Sequence, residues 1–120
     1  MAIMLITHDL GVVAGVTDRI NVMYAGRIVE TGPTDVVLSN PRHPYTEGLL
    51  RSIPSLDRDR HEPLIPIEGA PPDLRLDVAG CPFQPRCPSA FARCSEARPS
   101  LLPAGRGRGS ACWLVEAAPA

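Results

Sequence analysis

Ile3-Met4-Leu5-Ile6-Thr7-His8-Asp9 runs four apolar residues straight into three polar ones. An apolar run of this kind, without polar alternation, is the pattern of a strand buried on both faces of a parallel sheet, and the polar residues after it fall in the loop at its carboxyl end. Such a strand needs neighbours on both sides. Leu10 to Val16 is short and apolar with Asp9 placed to cap a helix, and Arg19 to Tyr24 and Arg27 to Thr31 predict two strands joined by a tight turn at Ala25-Gly26. Three strands and one short helix cannot cover both faces of a parallel strand. The sequence therefore predicts an α/β segment that is the C-terminal fragment of a longer domain, with apolar surface left for partners.

Further along, Gly32-Pro33-Thr34-Asp35 opens a second helix with proline in its first turn; Val36, Val37 and Leu38 give its apolar side, and Asn40-Pro41 stops it. A third helix starts at Pro44, shows Tyr45, Leu49, Leu50 and Ile53 on one face, and meets its stop at Pro54. The composition then changes: eleven of the 14 prolines and all 4 cysteines lie in residues 54–120. We expect three parts: 1–53 as the end of the α/β domain, 54–80 as a Pro-rich linker with at most a short strand at Leu64 to Glu68, and 81–120 as an irregular Pro/Cys-rich tail. Gly105-Arg106-Gly107-Arg108-Gly109 has no Lys-Ser/Thr ending, no preceding strand and no interleaved aromatic, so it reads as a flexible connector rather than a phosphate or nucleic-acid site.

The 120 residues carry 12 basic and 13 acidic side chains for a net charge of −1, and every basic residue is arginine. That balance supports no polybasic face, so no nucleic-acid partner is expected. No apolar run approaches the roughly 20 residues that cross a bilayer, and Met-Ala-Ile-Met-Leu-Ile lacks the features of a signal peptide. A soluble cytosolic chain is the expectation.

Ile6-Thr7-His8-Asp9-Leu10, Asp18-Arg19-Ile20 and Met23-Tyr24-Ala25-Gly26-Arg27-Ile28-Val29-Glu30-Thr31-Gly32 together resemble the last segment of the ATP-binding subunit of an ABC transporter. Asn40-Pro41-Arg42-His43-Pro44-Tyr45-Thr46 with Leu49-Leu50 is similar to the C-terminal extension of the dipeptide and oligopeptide importers, and Cys81-Pro82-Phe83-Gln84-Pro85-Arg86-Cys87-Pro88 with Cys94 and Cys112 is similar to the cysteine tail of that branch. The resemblance implies that His8 is the switch histidine, which contacts the γ-phosphate and helps to orient the attacking water. ATP and Mg are then the cofactors of the intact parent. Its partners are a second ATP-binding subunit, the membrane permease subunits and, through a binding protein, peptide. Its place is the cytoplasmic face of the membrane. No GxxxxGK[ST] phosphate loop, glutamine loop, signature or acidic pair occurs, so the resemblance implies a truncated chain that does not hydrolyse ATP alone. The different-class alternative is a free-standing cysteine-rich metal-binding or interaction module.

Cys81, Cys87, Cys94 and Cys112 are the candidate metal ligands. Five, six and seventeen residues separate them in turn, wider than the tight knuckles of structural zinc sites. Four-cysteine ligation of a four-iron four-sulfur cluster tolerates varied spacing and a neighbouring proline. Residues 80–112 hold Arg86, Arg93, Arg98, Arg106 and Arg108 against Glu96 alone, a charge expected to offset a cluster and depress the thiol pKa values. Phe83, Phe91 and Trp113 are expected to pack around such a site. Zinc, free thiols and disulfides stay open.

Overall fold

Residues 1–53, 66–71, 73–75, 78–105 and 107–117 are described by the computed structural model. Asp9 does what its position predicts: its carboxylate accepts the N–H groups of Gly11 and Val12, and α1 (Leu10–Val16) follows. Strands β1 (Arg19–Tyr24) and β2 (Arg27–Pro33) pair antiparallel across a two-residue turn in which Ala25 and Gly26 both take positive φ, 53° and 77°. Helix α2 (Thr34–Ser39) ends at Asn40, and α3 (Pro44–Arg51) carries proline in its first turn. The Pro54 stop, His61 and Leu64-Ile65 lie outside the described residues, and Ile67 and Glu68 are irregular rather than a strand.

The tail departs from the expectation of an irregular segment. A 3₁₀ turn at Gln84–Arg86 leads to α4 (Ala92–Glu96), then β3 (Leu102–Pro103), β4 (Gly109–Ser110) and α5 (Leu114–Ala117). Strand β4 pairs antiparallel with β2, placing Ser110 opposite Glu30, so the sheet order is β1-β2-β4-β3. The two ends of the chain thus build one sheet. Its short strands escape periodicity because a two-residue strand has no period to read.

The predicted parallel strand at Ile3 to Ile6 is not formed. Ile3, Met4 and Ile6 are 84%, 86% and 89% exposed, and among the described residues every strand pairing is antiparallel. The reason is in the sequence: a strand buried on two faces is stable only between neighbours, and none pairs with it here.

The core lies on one face of the hairpin. Ile20, Val22 and Tyr24 alternate inward along β1, meeting Val13 of α1, Val29 of β2, Val37 of α2 and Phe83 of the tail. A register shift opposite Val22 and Met23 inserts one extra residue into β2, so Val29 and Glu30 are buried in succession. That bulge carries a carboxylate into the interior. Tyr24, Tyr45 and Phe83 then pack as a trio with ring centroids 4.6–5.4 Å apart, Tyr24 and Phe83 meeting edge to face and Tyr45 tilted against both.

Candidate functional site: a pocket lined by thiols

Pro82 and Pro85 fall within a tight coil in which Gln84 N–H donates to the Cys81 carbonyl (3.1 Å), Arg86 to Phe83 (2.9 Å) and Cys87 to Gln84 (3.2 Å). The coil presents Cys81 and Cys87 on the side where Phe83 enters the core. Cys81 N–H donates to the Cys94 carbonyl at 2.7 Å, tying the coil to α4. Such an approach needs Gly80, since a Cβ there would stand 2.2 Å from the Cys94 oxygen. Cys112 follows Ala111, whose N–H donates to the Val29 carbonyl at 2.7 Å, so the last cysteine is positioned by the sheet.

All four cysteines line one pocket, together with His43, Phe83, Gln84 and Trp113. Its free volume is about 10 Å³, room for one water-sized body. The four are free thiols, which removes the disulfide alternative. Convergence on a single ion is not met: among the described residues no three His, Cys, Asp or Glu side chains stand close enough together to hold one metal ion. Thiolates bound to one zinc sit at about 2.3 Å from it, which demands a tighter group than this.

The expected depression of the thiol pKa values is reversed. Burial pushes Cys81 and Cys87 up and Cys112 up to about 11, with smaller upward pushes from Cys94 on Cys81, from Cys81 and Cys94 on Cys87, and from the three other cysteines on Cys112. The arginines are engaged elsewhere. Arg93 binds Glu116 at 2.6 Å, Arg86 donates to the Glu68 carbonyl, and Arg98, which donates to the Val78 carbonyl, is the weakest of the influences on Cys81. Arg106 lies outside the described residues. Of the three aromatics, Phe83 and Trp113 line the pocket; Phe91 does not and is 43% exposed, a correction to the expected trio. Trp113 is fixed by its indole N–H to the Ala97 carbonyl (2.9 Å) and by the Arg93 guanidinium 3.7 Å above its ring.

Arg108 is the second correction, because the supposed connector delivers a buried ion pair. Arg108 Nη2 donates to Glu30 Oε2 at 2.9 Å and to the Asn40 carbonyl at 2.7 Å, and the Glu30 carboxylate also accepts the backbone N–H groups of Arg42 (2.8 Å) and His43 (3.0 Å). Gly32 makes the room, since a Cβ there would meet Arg108 Cβ at 2.9 Å. This node fixes the backbone of His43, which caps α3: its Nδ1 accepts the Tyr45 N–H at 3.0 Å. Fully buried, it also lines the pocket, and burial holds its pKa down to about 4 against the raising effect of a hydrogen bond with the Ala111 backbone.

His8 is exposed in the loop before α1 and lines no part of the thiol pocket. No described helix is long and apolar enough to cross a membrane.

Comparison with known proteins places these features in context. A family model described as the oligopeptide/dipeptide transporter C-terminal region matches residues 29–94. The chain is 46% identical over 116 residues to the dipeptide transport ATP-binding protein DppD of Bacillus subtilis, covering 97% of this chain and 34% of the relative. It is 50% identical over 112 residues to the oligopeptide transport ATP-binding protein OppD of Salmonella typhimurium (93% and 33%), and 48% identical over 114 residues to OppD of Mycobacterium tuberculosis (95% and 19%). The chain thus spans about a third or less of the length of these curated relatives.

Proposed function

The chain belongs to the oligopeptide/dipeptide transporter C-terminal region family, and from that membership we propose that it is the C-terminal part of the ATP-binding subunit of a peptide-importing ABC transporter. The observation that carries this is the continuous identity along nearly the whole chain to ATP-binding proteins of dipeptide and oligopeptide transport. In the assembled subunit, ATP and Mg occupy a site built mostly by sequence outside these residues. His8, just past the apolar run Ile3 to Ile6, supplies an imidazole N–H toward the γ-phosphate, an anionic oxygen present before hydrolysis and gone afterwards. Closure of two such subunits then moves the permease subunits at the cytoplasmic face of the membrane, and peptide delivered by a binding protein passes inward. Against the free-standing module stands the sheet, in which, among the described residues, the tail's β4 pairs with β2 of the first half.

The likeness of Cys81, Cys87, Cys94 and Cys112 to the cysteine tail of this branch is what supports proposing them as a ligand set. The pocket they line does not fit a four-iron four-sulfur cluster: its free volume is about 10 Å³, and among the described residues no three ligand-type side chains gather to hold a metal ion, so no step is routed through such a group.

The test is a chimera in which the aligned 116 residues of this chain replace those of B. subtilis DppD. We expect dipeptide uptake in cells lacking their own DppD, and His8→Ala to lower ATP turnover roughly a hundredfold while nucleotide still binds. The isolated chain should show no ATP turnover. A chimera that assembles with the permease yet never supports uptake overturns the assignment.

A further inference from the structure

We propose that Cys81 and Cys94 close a reversible disulfide when the chain meets hydrogen peroxide, making the pair a redox-sensitive clasp between the Cys81 coil and α4. The basis is backbone geometry and stands apart from any group the pocket could bind. Cys81 N–H donates to the Cys94 carbonyl at 2.7 Å, and a Cβ on the neighbouring Gly80 would stand 2.2 Å from that oxygen and 2.9 Å from the Cα of Ser95, so the two backbones touch here. A direct backbone hydrogen bond of this kind holds its two Cα atoms about 5–6 Å apart, the span that a disulfide bridges. Among the described residues no other two cysteines are joined in this way. Both side chains line the same pocket, whose free volume of about 10 Å³ leaves no room for a layer of water between its walls. All four thiols are free in the structure, so the bond is one that oxidation makes rather than a part of the fold. Exposure sets the order of events, because Cys81 is half-buried and Cys94 is buried. The Cys81 thiolate, its proton given to solvent, attacks one peroxide oxygen; the O–O bond breaks, hydroxide leaves with the electron pair and takes a proton from solvent, and Cys81 becomes a sulfenic acid. The Cys94 thiol then attacks that sulfur, the S–S bond forms as the S–O bond breaks, and the hydroxyl leaves as water with the Cys94 proton. Two sulfurs are oxidised while one peroxide is reduced to two waters. Burial holds the Cys81 thiol above its usual range, so the reaction should quicken as pH rises.

The test begins on the native chain, so it does not depend on any variant folding. The chain is treated with hydrogen peroxide, its remaining thiols are alkylated, and it is cut after arginine, which puts the four cysteines on four separate peptides because Arg86, Arg93 and Arg108 stand between them. Mass spectrometry should find the Cys81 peptide joined to the Cys94 peptide within one chain, Cys87 and Cys112 alkylated, and the link gone after dithiothreitol. The oxidised chain should melt about 5–10 °C higher, because the bond closes residues 82–93 into a loop in the unfolded state. In Cys94→Ser, Cys81 should stay a sulfenic acid that dimedone captures, whereas Cys112→Ser should cross-link as the native chain does. Gly80→Ala keeps both thiols but parts the two backbones, and it should lower the yield of the link severalfold. A link that joins other cysteines, or two chains, overturns the pairing. Native chain that keeps four alkylatable thiols, or that passes to sulfinic acids without a link, overturns the clasp altogether.

Discussion

At Glu30 a carboxylate is buried completely and gathers three donors from distant parts of the chain, the N–H groups of Arg42 and His43 and the guanidinium of Arg108. Removing one partner of a buried pair strands the other, so Arg108→Met should destabilise the chain by about 3 kcal/mol, whereas Glu30→Gln combined with Arg108→Met should cost less than the sum of the single changes. Denaturant midpoints of the three variants check this. His43 gives the pH dependence of the metal-free chain. Its folded pKa of about 4 lies below the 6.5 of the unfolded residue, so between these values the unfolded state holds more protons and stability falls as pH falls. The gap corresponds to about 3 kcal/mol, fully present above pH 6.5 and lost on approaching pH 4. Thermal midpoints measured from pH 7 to pH 4 should drop steeply in the native chain and less in His43→Asn.

Elements with a period or a cap were legible in the sequence. Asp9 announced α1, Pro44 announced α3, and the alternation of Ile20, Val22 and Tyr24 around Ala25-Gly26 announced the hairpin. What stayed hidden was set by contacts between distant residues. The bulge that turns Glu30 inward has no local signature, and Arg108 between glycines resembles a linker until β4 is seen against β2. The four cysteines stood out, but their shared wall depends on Gly80, whose missing side chain lets the Cys81 coil lie on α4. Gly80→Ala forces those backbones apart. We expect the loss of the 2.7 Å bond between Cys81 and Cys94 to speed alkylation of the pocket thiols roughly tenfold, the effect of about 1.4 kcal/mol of easier local opening, read by mass spectrometry after timed reaction.

For the molecule as a whole, the most informative surface is the one the sequence analysis assigned to a buried strand. Ile3, Met4, Leu5 and Ile6 are all exposed, whereas Val13, Ile20, Val22 and Val29 close a core without their help. A run of four large apolar residues that buries almost nothing contributes little to folding, yet it offers unpaired backbone and apolar side chains to any sheet edge it meets. The two consequences are separable. Replacing Ile3 and Ile6 together by glutamate should leave the unfolding free energy within about 0.5 kcal/mol of the native chain, and the thermal midpoint nearly unmoved, since surface changes of this kind seldom exceed that. The same substitution should abolish concentration-dependent association in sedimentation, because the sticky segment then repels its copies. Association that persists in the double variant would place the adhesive surface elsewhere, and a lowered midpoint would mean that the segment packs more closely than its exposure indicates. On the proposal that the run is an inner strand of the whole subunit, the prediction inverts in a chimera with a full-length relative, where the two glutamates should destabilise the subunit by burying charge between strands.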